Sequence, residues 1–291
     1  MSNSQNRPVA VVTGASAGIG KSTARMLAEQ GWHVIGIGRD PGRSAEAEAE
    51  IRAAASPEAR VDFLRGDFTE MADVKRVAAE IKALAPRLDV LINNAGGVRD
   101  ALYRTSEGLE ATMAANHFAP FVLTRELLPL LKETAAKSPP GTVRVIATSS
   151  TGHEHCPGMN WADLNMFDNF STGGVYCQAK LANILFTREL NRQVAGDGIV
   201  AQAMHPGVVD SNFANHGDDF MQQYMKSQGG HHPDHPARTL VWMATAPETG
   251  VDGGRYFHDL QEVPAAPHAL DDEAARRLWT ETARMMAEIG A

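Results

Sequence analysis

The chain has 291 residues, 43% of them hydrophobic, a formal net charge of -8 and two cysteines, Cys156 and Cys177. That hydrophobic share supports one sizeable core, and the acidic balance repels nucleic acid and anionic membrane surfaces on average. Two cysteines make no disulfide framework in so long a chain, the short polar N-terminus carries no cleavage signal, and no run reaches the ~18 apolar residues of a membrane span, so a soluble, cytoplasmic protein is expected.

An apolar, β-branched run over 8–12 predicts a strand buried on both faces, and it enters Thr13-Gly14-Ala15-Ser16-Ala17-Gly18-Ile19-Gly20 ahead of a helix over 21–30. Strand, glycine turn and helix form the setting of a phosphate-binding loop: glycines admit a pyrophosphate to the backbone, and the helix N-terminus offers free N–H groups. The spacing Gly-x-x-x-Gly-x-Gly is not Gly-x-Gly-x-x-Gly, so a packing turn is the alternative. A second strand over 33–38 ends in Arg39-Asp40. A basic residue at that tip favours the 2′-phosphate of NADP, whereas Asp40 serves a ribose 2′-hydroxyl if the strand runs further.

An exposed helix is expected over 44–55 and a third strand over 61–64, leading to Asp67, which either meets an adenine amino group or caps a helix over 71–84. A fourth strand over 88–92 ends in Asn93-Asn94-Ala95-Gly96-Gly97. Strand and helix alternating so regularly imply an α/β fold: a doubly wound parallel sheet with ligands beyond the carboxyl ends of its strands. A helix over 107–132 carries Asn116 among apolar neighbours, where a mediocre helix former asks for a reason, solvent exposure being the plain one. A fifth strand over 143–148 ends at Ser149-Ser150, and a sixth over 200–204 runs into His205-Pro206-Gly207-Val208-Val209. A helix over 236–246, a strand over 254–257 and a helix over 271–289 complete a single domain over 1–291 with about seven strands. The segments 151–175 and 210–235 are too irregular for core elements and suit the wall and lid of an apolar pocket. His231-His232-Pro233-Asp234-His235 reads as a polar loop, because its prolines break helical ligand spacing, and no metal is expected.

Tyr176 and Lys180 lie four residues apart at the start of an apolar helical run, on one helix face. A nearby ammonium favours the phenolate and brings a tyrosine towards proton exchange with a carbonyl or alcohol, although the same spacing also describes an amphipathic face with a snorkelling lysine.

Thr13-Gly14-x-x-x-Gly18-x-Gly20, Asn93-Asn94-Ala95-Gly96, Asn116, Ser150, Tyr176-x-x-x-Lys180 and Pro206-Gly207, in this order and at these intervals, resemble the short-chain dehydrogenase/reductase family over nearly the whole chain. Asn116-His117-Phe118, Ala179-Lys180-Leu181-Ala182-Asn183, His205-Pro206-Gly207-Val208-Val209 and Gly254-Arg255-Tyr256-Phe257 look like its retinol dehydrogenase branch. The resemblance implies a Rossmann-type domain and a catalytic tetrad of Asn116, Ser150, Tyr176 and Lys180. In that scheme Tyr176 is the general acid or base, Ser150 binds the substrate oxygen, Lys180 lowers the tyrosine pKa and holds the nicotinamide ribose, and Asn116 anchors a relay water. It also implies NADP(H), with NAD(H) as the alternative, against Gly14, Ser16, Gly18, Ile19, Gly20, Arg39, Asp67, Phe68, Asn94, Ala95, Gly96, Tyr176, Lys180, Pro206, Gly207, Val209 and Ser211. The implied substrate is a lipophilic or aromatic carbonyl or its alcohol, and the implied assembly a homodimer or homotetramer paired through the helices of Asn116 and Tyr176. A nucleotide sensor without turnover on the same fold is the competing reading.

Overall fold

The computed structural model describes residues 7–210 and 217–291. Strands β1 (Val9–Thr13), β2 (His33–Gly38), β3 (Arg60–Arg65), β4 (Val90–Asn93), β5 (Val143–Thr148), β6 (Ile199–Met204), β7 (Tyr256–His258) and β8 (Gln261–Glu262) form one sheet. Their order is β3-β2-β1-β4-β5-β6-β7-β8, parallel throughout except for the antiparallel β7–β8 pair. The sequence suggests about seven strands; the described residues form eight. The added one is β8, two exposed residues long and too short to carry a periodic signal.

Successive side chains of a strand point to opposite faces, and β1 uses both. Val9 and Val11 pack with helices α3 (Met71–Leu84), α5 (Ala119–Ala135) and α6 (Thr172–Val194), while Ala10 and Val12 pack with α1 (Gly18–Glu29), α2 (Pro41–Ala54) and α8 (Asp234–Thr245). Helices on both faces bury the inner strands completely, which explains their continuous apolar runs. The helix expected to be exposed, α2, buries Ser44, Ala47 and Ile51 along one face. The order in which strands are added reverses between β1 and β4, and the crevice beyond their carboxyl ends is where such a fold places a ligand.

The helix over 107–132 is not continuous. Three residues of α4 (Ala111–Met113) lead into a π turn (Ala114–Phe118), in which the N–H of Ala119 donates to the carbonyl of Ala114, and α5 follows. Pro120 has no N–H for the carbonyl of Asn116, and its ring would clash with that carbonyl in α geometry; the wider turn accommodates both. After α7 (Asp219–Gln228) and α8, the amphipathic α9 (Asp272–Glu288) closes the chain against α6 and α5 through Trp279, which stacks on Phe186 at 5.7 Å and meets Phe121 edge-on at 4.9 Å. No helix of the described residues is long and apolar enough to cross a membrane.

Candidate active site

The glycine turn after β1 is built to leave donors free. Gly14 and Gly18 hold φ of 71° and 53°, which glycine adopts without strain. A Cβ on Gly20 would lie 2.3 Å from the carbonyl oxygen of Gly14, so only glycine lets the turn close on itself. Helix α1 has Ala17 at its N-cap, with no capping side-chain hydrogen bond and no acid in its first turn. Its N–H groups and positive dipole end therefore suit a pyrophosphate, and the donor set fits a dinucleotide. Thr13 Oγ1 accepts from the N–H groups of Asn94 and Ala95 at 2.9 and 2.8 Å, and Asn94 Nδ2 donates to the carbonyl of Thr13 at 3.0 Å. These bonds fasten the glycine turn to the Asn94-Ala95-Gly96 turn of β4. Gly38 has Ser16 Cβ and Ser44 Oγ where its own Cβ would be, at 2.8 and 2.5 Å, so β2 ends tightly against the turn. Ile19 packs on the core face of α1.

At the tip of β2 the strand ends at Gly38, leaving Arg39 as the first residue beyond it, half-exposed and 4.0 Å from Asp67. Asp40 is occupied as the N-cap of α2, accepting from the N–H of Arg43 at 2.8 Å. Asp67 does not cap α3: its Oδ1 accepts from Thr69 N and Oγ1, while Glu107 takes the N–H groups of Met71 and Ala72 at 2.5 and 2.8 Å. Phe68 is buried in the core beside α3, so a cofactor contact there falls to its main chain. Beyond β6, Pro206 and Gly207 form an open turn with Gly207 at φ 71°, and buried Val209 bridges to His231. Ser211 lies outside the described residues, as does the 211–216 part of the segment expected to be a lid.

Asn116 sits in the π turn, 1% exposed, so solvent is not its partner. Its Nδ2 donates to the carbonyls of Gly97 and Thr112, both at 2.8 Å, and its Oδ1 accepts from the N–H of Gly97 at 3.2 Å. A Cβ on Gly96 would lie 2.3 Å from Asn116 Oδ1 and 3.5 Å from Lys180 Nζ, which shows how closely this turn, Asn116 and Lys180 meet. Lys180 donates to the carbonyl of Thr148 at 3.0 Å, and its Nζ lies 5.4 Å from the centre of the Tyr176 ring. Ser150 shares a side-chain hydrogen bond with Tyr176 and accepts from the N–H of Gly152 at 3.1 Å.

Burial governs the protons here. Tyr176 as a residue is only half-buried, yet its hydroxyl is desolvated enough to push its pKa up to about 12, opposed by the bond from Ser150. Burial brings Lys180 down to about 8. With burial as the dominant cause, tyrosine keeps its proton in the protein alone. An ammonium with three donors and one protein acceptor at hand suits ribose hydroxyls.

A cleft of about 610 Å³ lies against the first turns of α6, walled by Cys156, Met159, Met166 and Cys177 among others. It uses the irregular segment expected to wall a pocket. Gln178 fixes that wall: its Oε1 accepts from the N–H of Asn160 at 2.7 Å and its Nε2 donates to the carbonyl of Leu164 at 3.0 Å. Sequence reasoning missed Gln178, although a buried amide two residues after Tyr176 is its signal. It also missed Glu107, whose partners stand 36 and 35 residues away, a distance no local pattern reveals.

A model of the family described as short chain dehydrogenase matches residues 8–221. Retinol dehydrogenase 13 of Homo sapiens is 34% identical over 287 residues, covering 95% of this chain and 83% of that protein. Polyprenol dehydrogenase of Mus musculus is 36% identical over 282 residues, with 95% and 83% coverage. A crystal structure of an uncharacterized protein from Mycobacterium paratuberculosis superposes with a TM-score of 0.75 at 30% identity, covering 98% of this chain and 97% of that one. The chain belongs to the short-chain dehydrogenase family, in the branch that includes the retinol dehydrogenases.

Proposed function

We propose that the protein is an NADP(H)-dependent oxidoreductase that interconverts a lipophilic or aromatic ketone or aldehyde and its alcohol. The observation that carries this reading is the Ser150–Tyr176 hydrogen bond, with Lys180 and Asn116 packed together on the Gly96 turn. A bound nicotinamide cofactor supplies hydride chemistry there; the protein positions the partners and manages the proton. Ser150 Oγ and the Tyr176 hydroxyl donate to the substrate oxygen, and Tyr176, neutral up to a pKa of about 12, gives its proton as charge develops on that oxygen. Lys180, cationic below about 8, holds the ribose and supports the negative charge left on Tyr176. Asn116 holds the Gly97 turn in place, and the carbonyl that Pro120 deprives of a helical donor is where a relay water binds.

Arg39 supports NADP(H): it is the first side chain beyond β2, half-exposed, with its nearest acid at 4.0 Å, while Asp40 is spent on α2. Two methionines and two cysteines line the cleft with His155, Asn160 and Gln178 and with no carboxylate, ammonium or guanidinium side chain, which supports a lipophilic substrate. Following the reduced-nicotinamide absorbance with NADPH and NADH in parallel, against aromatic, terpenoid, steroid and retinoid carbonyls, tests the reading. NADPH consumption with one chemical class is expected. Binding of both cofactors without turnover on any of them points instead to a nucleotide sensor.

A further inference from the structure

A histidine without a part in the proton chemistry lies directly behind Ser150. His153 is 0% exposed, and both of its ring nitrogens are occupied by main-chain partners. Nδ1 lies 2.7 Å from the carbonyl oxygen of Ser150, and Nε2 accepts from the N–H of Ala266 at 3.0 Å. An N–H donor on Nε2 requires a lone pair there, so the proton must sit on Nδ1 and the ring must be neutral. Burial holds its pKa below the ordinary histidine value in the same sense, against the pull of Glu154 and the Ser150 carbonyl and with help from His268 and His155.

That tautomer places two donors on one carbonyl, since the N–H of His153 also reaches Ser150 O, at 3.1 Å. Ser150 is then held from both ends: its carbonyl by His153, its Oγ by Gly152 and Tyr176. The restraint continues away from Ser150. The His153 ring meets Tyr256 edge-on at 5.2 Å, Tyr256 lies 5.5 Å from His205, and His205 stacks on His258 at 3.9 Å beside the Pro206-Gly207 turn. His268 Nε2 closes the far side on the carbonyl of His153 at 3.1 Å.

We propose that His153 is a positioning residue that fixes Ser150 through its Nδ1–H and ties it, through Ala266 and Tyr256, to the C-terminal segment and the 205–209 turn. This rests on the oxidoreductase reading for its effect on turnover, and on geometry alone for its effect on Ser150. The two bonds separate chemically. In His153→Asn the amide nitrogen replaces Nδ1 and keeps the donor to Ser150, while in His153→Gln the amide oxygen replaces Nε2 and keeps the acceptor for Ala266.

Both variants are compared with the wild type for kcat, carbonyl KM, thermal midpoint and hydrogen exchange at the Gly152 amide, which reports the Ser150 Oγ contact whether or not the enzyme turns over. His153→Gln is expected to lose roughly tenfold or more in kcat, the scale of a small misplacement at a reacting centre, with KM little changed. It is also expected to lose Gly152 protection. His153→Asn is expected to keep both. Equal kcat losses that track the thermal midpoint, or wild-type Gly152 protection in His153→Gln, would overturn the assignment. A wild type inactive on the whole carbonyl panel defeats the oxidoreductase reading, while the Gly152 comparison still decides the role of His153.

Discussion

Lys180 should be worth more to the reaction than to the fold. It is 4% exposed, and its ammonium meets the Thr148 carbonyl at 3.0 Å. Its pKa falls from 10.5 to about 8 through burial. A roughly 300-fold loss of proton affinity, at about 1.4 kcal/mol per tenfold, costs folding about 3 kcal/mol while the group stays charged. Because the folded pKa is the lower one, the unfolded chain binds more protons between about 8 and 10.5, so stability rises with pH across that window. Below it the cost is present in full. Lys180→Met keeps an unbranched side chain, a good helix former, and removes the charge. The lost hydrogen bond is worth about 1 kcal/mol, and Asn183 Nδ2 still donates to Thr148 O at 3.3 Å, so that carbonyl is not orphaned. The variant should therefore be about 2 kcal/mol more stable than the wild type at pH 7, about 4 °C in thermal midpoint, and the advantage should shrink as pH rises to 10.5. Urea unfolding at pH 7 and pH 10 checks it. A variant less stable at pH 7, or a difference that does not change with pH, would refute the reasoning, whatever the loss of turnover.

Tyr176→Phe should bind NADPH normally and lose turnover by about 10²–10⁴-fold, since it lacks the transferable proton; near-normal kcat on a carbonyl substrate would sink the assigned role. Gly96→Ala drives a Cβ to 2.3 Å from Asn116 Oδ1, so the thermal midpoint should fall by the equivalent of about 1–3 kcal/mol together with kcat, and an unperturbed enzyme would show that the contact is slack. Arg39→Asp should swing the NADPH-to-NADH affinity ratio towards NADH; an unchanged ratio would make Arg39 a surface charge.

The fold is legible in the sequence wherever a strand is buried on both faces. β2, α3 and β5 have the bounds their apolar patterns predict, because the inner strands are covered on both faces and α3 turns one apolar face to them. Element ends are less legible where tertiary partners set them. Helix α3 starts under the carboxylate of Glu107, and α1 starts at Gly18 inside the glycine turn rather than after it. Of the site, residues at strand ends stand out by position: Arg39, Asp67, Asn94 and Ser150 all follow a strand in this way. His153 is silent for a different reason. Its partners are main-chain atoms of Ser150 and Ala266, and a backbone carbonyl or N–H belongs to every sequence alike.

The π turn at Asn116 has an arithmetical consequence. One residue of α-helix advances by about 100°, so the widened turn sets the face of α4 out of phase with that of α5 by about one residue. An exchange of side chains that leaves Pro120 in place does not alter that count. The helix face on which Asn116 lies is therefore robust to substitution within the helix, Pro120 apart, and fragile to the loss of a single codon, which would rotate the first turn of the helix away from the cofactor crevice.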